Sequence, residues 1–188
     1  MKFEEVVHSR KSVRSFRDKK VDWRDIIDCI DSMRYAPMSG NVFSLRMFLI
    51  DEKEKIKKLA EASQQAFIGE VSHVVVVCSD TKRATLSFGE AGNIYLRQQA
   101  GAAIQNFLLA LTERGLATCW IGYFHEEEIR RELKLPENFQ VEALFPIGYS
   151  SEAKGEIRKP KAKVDLNGVL YFNKYDVKKM RLPKSVKV

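Results

Sequence analysis

Residues 93–123, NIYLRQQAGAAIQNFLLALTERGLATCWIGY, hold a long helix-forming stretch followed by a short apolar one. Up to Arg114 the apolar residues recur every three or four positions, with Ile104, Phe107 and Leu111 on one side, so the spacing predicts an amphipathic helix. Gly115 suits the left-handed position that commonly ends a helix. Residues 117–122, ATCWIG, then predict a β-strand.

The rest of the chain mixes both element types without a regular strand–helix–strand rhythm, which favours an α+β fold. Further helices are predicted from Phe3 to about Arg10, after an N-cap at Asp22, over 51–63 and over 126–133. Further strands are predicted over 45–50, 74–78, 141–149 and 169–173. A length of 188 residues fits a single domain over 1–188.

The positive charge is concentrated near the C-terminus. The chain has a net charge of +7, and from Ser150 onward 11 basic residues face four acidic ones, so the first 149 residues are neutral. A basic tail can bind nucleic acid or an anionic membrane. Apolar residues interrupt this one, however, and a solvated basic surface is the commoner explanation. We therefore expect neither a nucleic-acid nor a membrane partner.

Several common sites are missing from the sequence. The three cysteines show no C-x-x-C spacing, and the three histidines lie far apart, so no metal site is predicted. The chain contains no G-x-S-x-G, Walker A or G-x-G-x-x-G motif. No apolar run approaches a membrane span, and the acidic, amphipathic N-terminus does not look like a secretory signal. We expect a cytoplasmic protein.

Residues 10–16, RKSVRSF, form the first candidate binding segment. In an extended chain Arg10, Ser12 and Arg14 point to one side and Val13 to the other. Two guanidinium groups and a hydroxyl suit a phosphate or the electron-rich edge of a heterocycle. Taken alone, a pair of solvated surface arginines explains the same pattern.

Two further segments could present backbone groups to a ligand. Residues 36–41, APMSGN, predict a turn that could equally be a plain helix-to-strand loop. Residues 116–123, LATCWIGY, predict a strand that ends at Gly122, where a backbone N–H could be free to bind a ligand.

These segments, with GAAIQNFLLA at 101–110, FPIGY at 145–149 and RKP at 158–160, occur in an order that resembles the FMN-dependent nitroreductase family. The resemblance extends from about Phe3 to Asp176. It implies a three-layer α+β fold, with a central, mostly antiparallel sheet flanked by helices. It also implies a homodimer with two FMN molecules at its interface, and a C-terminal extension from about residue 160 to 188 that embraces the partner subunit. Strand 169–173 would join the partner's sheet.

By motif match, the resemblance implies the residues that contact FMN. Those of the first segment are Arg10, Lys11, Ser12 and Arg14, at the phosphate, ribityl chain and pyrimidine edge. The partner subunit would supply Pro37, Met38, Ser39 and Asn41. The remaining contacts are Gln64 near the ribityl chain, Ile121, Gly122 and Tyr123 behind the ring system, and Arg158 and Lys159 at the phosphate. No side chain is expected to act as a catalytic acid or base, because the flavin carries the chemistry.

The implied activity is an FMN-dependent, ping-pong transfer of electrons from NADH or NADPH, through flavin N5, to nitroaromatic, quinone or similar aromatic acceptors. A specialised member that dehalogenates or processes flavin, and a flavin-binding protein without turnover, are alternatives. Two stretches depart from the family pattern. Val42-Phe43-Ser44-Leu45 stands where the family usually has x-Gln-Pro-Trp, and residues 82–93 leave little room for a lid.

Overall fold

A three-stranded antiparallel sheet lies at the centre of the fold, in the order β1 (Leu45–Ile50), β2 (His73–Asp80), β3 (Phe139–Ile147). The computed structural model describes residues 1–152 and 164–177. In the sheet Phe48 pairs with Val76, which in turn pairs with Leu144. The central strand is buried on both faces, which explains its uninterrupted valine run.

Helices cover both faces of the sheet. They are α1 (Phe3–Ser9), α2 (Trp23–Asp31), α3 (Lys53–Ala62), α4 (Thr81–Phe88), α5 (Gly92–Glu113) and α6 (Glu126–Leu133). A further short helix, α7 (Leu166–Val169), belongs to the C-terminal part of the chain. Short 3-10 helices occupy Ser32–Tyr35, Ser39–Asn41, Ala66–Glu70 and Gly89–Ala91. The predicted α+β class is confirmed, although the helix α4 was not anticipated from the sequence.

Two hydrophobic clusters sandwich the sheet and make the fold three-layered. Phe107 of α5 and Ile26 of α2 pack with Phe145 in one cluster. Leu59 of α3 and Ile129 of α6 pack in the other. The valines of β2 alternate between the two clusters, as a strand with a two-residue side-chain period must.

The predicted helix ends agree with the structure. The Asp22 carboxylate accepts a hydrogen bond from the backbone N–H of Arg24 at 2.9 Å and so caps α2. Gly115 is left-handed, at φ 72°, and its N–H donates to the carbonyl of Thr112 at 3.0 Å. The α5 helix therefore stops where the glycine permits the chain to turn.

The predicted strand 117–122 is present only as two isolated bridges beside β3. Ala117 pairs with Gly148 and Ile121 with Leu144, in one antiparallel register. Between them this register places Cys119 opposite Pro146, which has no N–H to donate. The hydrogen-bond ladder is therefore interrupted, and the prediction of a continuous strand is wrong.

On its other side this segment pairs with the N-terminal residues. Ser12 forms a parallel bridge with Thr118, and the Val13 N–H donates to the Thr118 carbonyl at 2.9 Å. Phe16 forms an antiparallel bridge with Ser150. The sheet is thus extended beyond β3 by two irregular edge segments.

The chain divides into two compact units, Met1–Ala153 and Lys154–Val188. In the described part of the second unit, the predicted strand 169–173 is wrong: α7 ends at Val169 and the chain then turns. The Phe172 N–H donates to the Val177 carbonyl at 2.8 Å, and Asn173 and Asp176 have positive φ angles. Within the described ranges no helix is both long and apolar enough to cross a bilayer.

Candidate functional site

The first candidate segment, residues 10–14, leaves α1 at Arg10 and runs extended along the edge of the sheet. Val13 is 2% exposed, whereas Ser12 and Arg14 are exposed. The alternation predicted from the sequence is therefore present. Burial of Val13 and its hydrogen bond to Thr118 fix the backbone, which leaves the Ser12 hydroxyl and the Arg14 guanidinium on the outside.

Lys11, on the same segment, is engaged within the protein. Its ammonium forms an ion pair with the Glu152 carboxylate, and both side chains are partly buried. This contact ties the segment to the chain just beyond β3. A contact of Lys11 with a cofactor phosphate remains a prediction.

The third candidate segment ends beside the first. Ile121 is buried and bridged to Leu144, whereas Gly122 and Tyr123 are exposed, Tyr123 by 63%. Because the pairing of Ser12 with Thr118 is parallel, the two segments run in the same direction. Arg14 and Gly122 therefore both lie beyond the bridge between Ser12 and Thr118, in the same chain direction.

Gln64 contacts this region through His125, a residue whose role was not predicted from the sequence. The Gln64 amide nitrogen lies 3.2 Å from His125 Nε2, and the His125 ring lies 6.4 Å from the Tyr123 ring. The backbone N–H of His125 donates to the Ala62 carbonyl at 2.8 Å. Gln64 itself is left-handed, at φ 53°, which costs a non-glycine residue about 1 kcal/mol. The position of His125 only two residues after Tyr123 was the available sequence signal.

The second candidate segment, residues 37–41, lies against other elements. Gly40 and Asn41 both have positive φ angles, 55° and 57°. The Phe88 ring at the end of α4 packs so close to Gly40 that a Cβ atom there would lie 2.8 Å from Phe88 Cζ. Among the described residues, no hydrogen bond or bridge joins this turn to residues 10–14 or 121–123.

Two predicted contacts, Arg158 and Lys159, lie outside the described residues. The structure thus brings together Arg10, Lys11, Ser12, Arg14, Gln64, Ile121, Gly122 and Tyr123 along one edge of the sheet. It holds Pro37, Met38, Ser39 and Asn41 on a separate turn.

The exposed groups of the first segment are suited to an anionic ligand. Within the described ranges neither Arg10 nor Arg14 forms an ion pair. Thr118, directly across from Ser12, is the one described residue with a buried side-chain oxygen that has no hydrogen-bond partner. The guanidinium groups and hydroxyl fit the phosphate and the oxygen-rich pyrimidine edge of FMN.

The cysteines do not supply a nucleophile to this region. Burial raises the pKa of the Cys29 and Cys78 thiols to about 12, so both remain protonated at neutral pH. Cys119 is also buried. No cluster of His, Cys, Asp and Glu in residues 1–152 and 164–177 could hold a metal ion.

Comparison with known proteins identifies the family. The sequence model of the Nitroreductase family matches residues 7–86 and 63–149, which together span most of the chain. The chain belongs to the nitroreductase family. The resemblance inferred from its motifs is thereby confirmed.

Two curated relatives illustrate the range of this nitroreductase family. A protein of Archaeoglobus fulgidus, provisionally named NADH dehydrogenase/NAD(P)H nitroreductase, is 27% identical over 154 residues, covering 79% of this chain and 86% of its own. The iodotyrosine deiodinase of Thermotoga neapolitana is 28% identical over 167 residues, covering 80% and 89%.

Solved structures agree on the fold. A nitroreductase family protein from Clostridium difficile 630 superposes with a TM-score of 0.79 at 29% identity, covering 93% of this chain and 99% of its own. The nitroreductase α+β fold inferred from the sequence is therefore confirmed.

Proposed function

We propose that this nitroreductase-family chain is an FMN-dependent oxidoreductase that passes electrons from NAD(P)H to nitroaromatic, quinone or similar aromatic acceptors. The observation that carries the proposal is the edge of exposed hydrogen-bond donors at Ser12 and Arg14, beside the exposed Gly122 and Tyr123. A Bacillus subtilis relative named FMN reductase (NADPH), 24% identical over 92% of this chain and 74% of its own, supports the choice of cofactor and electron donor.

The chemistry that FMN supplies when bound is acceptance of hydride at flavin N5 and release of the electrons to an acceptor in a separate, ping-pong half-reaction. The chain's residues bind and orient it. Arg10 and Arg14 place positive charge beside its anionic and electron-rich groups, where they also favour added negative charge. Ser12 contributes a hydroxyl donor, and the loop at Gly122 a backbone N–H.

The other predicted contacts have supporting roles. Gln64 and Tyr123 border the same edge, linked through His125. Ile121 supports the loop from below, buried against the sheet. Lys11, paired with Glu152, holds the segment in place, and Arg158 and Lys159 are proposed for the phosphate from the motif match alone.

We propose further that the working unit is a cytoplasmic homodimer in which each flavin contacts Pro37, Met38, Ser39 and Asn41 of the second subunit. Exposed apolar side chains support an interface near α1 and the start of α5: Phe3, Val7 and Ile94 are 73%, 40% and 61% exposed. The extension at about 160–188 is proposed to embrace the partner subunit. Residues 1–188 are proposed to form one domain that includes this extension.

A flavin titration tests the proposal. The purified protein should take up FMN, acquire its yellow absorbance, and be bleached by NADH or NADPH under anaerobic conditions. Addition of a nitro compound or a quinone should restore the colour. Failure to bind FMN would contradict the function, whereas binding without bleaching would favour a flavin-binding protein without turnover.

The deiodinase relative makes reductive dehalogenation a second candidate. In that reaction two electrons and a proton replace a carbon–iodine bond with carbon–hydrogen and release iodide. Iodide release from iodotyrosine by the reduced protein, at a rate above that of nitro-group reduction, would favour this candidate over the first.

A further inference from the structure

The turn at residues 39–41 has an unusual backbone that something must hold in place. Gly40 and Asn41 are consecutive left-handed residues, a conformation that costs Gly40 nothing but persists at a non-glycine residue such as Asn41 only where the surroundings hold it. The turn's own hydrogen bond, from the Val42 N–H to the Ser39 carbonyl at 3.0 Å, is local. Packing of Phe88 on Gly40 is apolar and not directional.

The sheet anchors the chain only as far as Ser44. The Asp80 N–H donates to the Ser44 carbonyl at 2.8 Å, and the regular pairing of β1 begins at Leu45. Residues 42 and 43 precede this pairing. The N–H of Ser44 and the carbonyl of Val42 therefore need partners outside the sheet.

Gln99 of α5 supplies both partners. Its side-chain oxygen accepts from the Ser44 N–H at 2.9 Å, and its side-chain nitrogen donates to the Val42 carbonyl at 3.0 Å. Gln99 is only 5% exposed. One amide thus satisfies two backbone groups in the way a neighbouring strand would.

We propose that Gln99 is a positioning residue for the cofactor: its amide clamps Val42 and Ser44, so that Ser39 and Asn41 are presented to FMN in one conformation. The inference rests on the proposed function, in which this turn contacts the flavin. Gln99 acts through the turn and need not touch the cofactor.

The clamp requires a donor and an acceptor on the same side chain, and this requirement makes it testable. Gln99→Leu replaces the amide with an apolar side chain of similar size and leaves both backbone groups without partners. Gln99→Glu keeps the shape, but an ionised carboxylate only accepts and would repel the Val42 carbonyl. A protonated carboxyl group can donate again, so acid should restore the clamp.

The residues around Gln99 should not add a pH dependence of their own to that of Gln99→Glu. The small cavity beside Gln99 is lined by Ser39, Val42, Ser44, Ala84, Phe88, Gly92, Tyr95 and Leu96. None of these lining residues carries a carboxyl, amino or imidazole group. Burial should raise the pKa of an introduced glutamate, which brings its titration toward neutral pH.

The experiment measures FMN affinity from about pH 5 to pH 9 for the wild type and three variants. Gln99→Leu should weaken binding about tenfold or more at every pH, because two buried backbone groups lose their partners. Gln99→Glu should bind weakly at high pH and approach wild-type affinity in acid. The matched control, Gln98→Leu on the exposed neighbour, should bind as the wild type does.

A second readout needs no flavin. Hydrogen exchange at the Ser44 amide, corrected for its intrinsic pH dependence, should lose protection in Gln99→Leu and keep it in Gln99→Glu, because a carboxyl group accepts from the Ser44 N–H in either protonation state. Unchanged FMN affinity in both Gln99 variants would overturn the clamp and leave the proposed function standing. Failure of the wild type to bind FMN would overturn both.

Discussion

The two segments proposed to hold the cofactor are kept in shape by different means. Residues 10–14 are extended, pair with Thr118 through the backbone, and are fastened by the buried Val13. Residues 37–41 are a turn with two left-handed residues that packs on Phe88, and the single side chain of Gln99 binds Val42 and Ser44 just after it. Because backbone pairing does not depend on outward side chains, the first segment should tolerate changes at Ser12 or Arg14 without losing its shape. The second should be sensitive to individual neighbours.

The largest expected effect is on the buried anchor of the first segment. Val13→Asp places a carboxylate where the side chain is almost fully buried, and should lower the free energy of unfolding by about 3 kcal/mol or more. Chemical denaturation measures it. The control Ser15→Asp is exposed and should change stability by less than about 0.5 kcal/mol. Equal losses from both would show that Val13 is not the anchor.

A smaller effect is expected where α4 supports the second segment. A Cβ atom on Gly92 would lie 2.6 Å from the Ala84 carbonyl oxygen, so Gly92→Ala should push α4 away and cost about 1–3 kcal/mol. Gly101, on the same helix, has no atom within 4 Å of such a Cβ. Gly101→Ala should therefore stabilise by up to about 1 kcal/mol. Thermal unfolding of both variants compares them, and a neutral Gly92→Ala would contradict the close helix approach.

A substitution at Arg14 tests whether the outward side chains of the first segment bind FMN rather than stabilise the fold. Arg14→Ala should weaken FMN binding by about 1.5–3 kcal/mol and lower the flavin reduction potential, because a positive neighbour of the reduced flavin is lost. Stability should change little. Arg17→Ala, also exposed, is the control for both titration and potentiometry. If the two variants behave alike, Arg14 is an ordinary surface residue.

The smallest effect concerns His73, in the strand β2 that supports both segments. Burial lowers the pKa of His73, whose Nδ1 lies 2.9 Å from the Ser72 hydroxyl. The folded state thus prefers the neutral ring. The contribution of the neutral His73 ring to stability is complete above the unfolded pKa of about 6.5, and it declines as the pH falls below that value. Denaturation between about pH 5 and 8 should show this slope in the wild type and a shallower one in His73→Gln. Identical slopes would exclude His73 as the source.

Local patterns in the sequence were sufficient for one segment and not for the other. The valine run of β2, the glycine stop at Gly115 and the alternation around Val13 depend on neighbouring residues only, and each was predicted. The interruption at Cys119 depends on Pro146, and the clamp on Ser44 depends on Gln99, 55 residues away. Such pairings become visible only in three dimensions.

The remaining errors come from weak or misleading local signals and, for His125, from a distant partner. Residues 81–88, TKRATLSF, carry few apolar residues, so their helix gives a weak periodic signal, although Asp80 caps it through the Arg83 N–H. Residues 169–173 have strand-like composition, but the chain turns at Asn173 and Asp176. His125 was dismissed with the other histidines because its partner, Gln64, is distant in sequence.

The central claim is that one flavin site combines residues 10–14 of one subunit with residues 37–41 of the other. It is tested most directly with a mixed dimer, purified through two different affinity tags, of one Arg14→Glu chain and one Gly40→Val chain. Each parent homodimer should bind little FMN, since the first places a negative charge beside the electron-rich edge of the flavin and the second cannot form the turn against Phe88. In the mixed dimer both lesions fall in one site and leave the other intact, so it should bind one FMN per dimer. A mixed dimer that binds no FMN would place both segments in the same subunit's site and contradict the account.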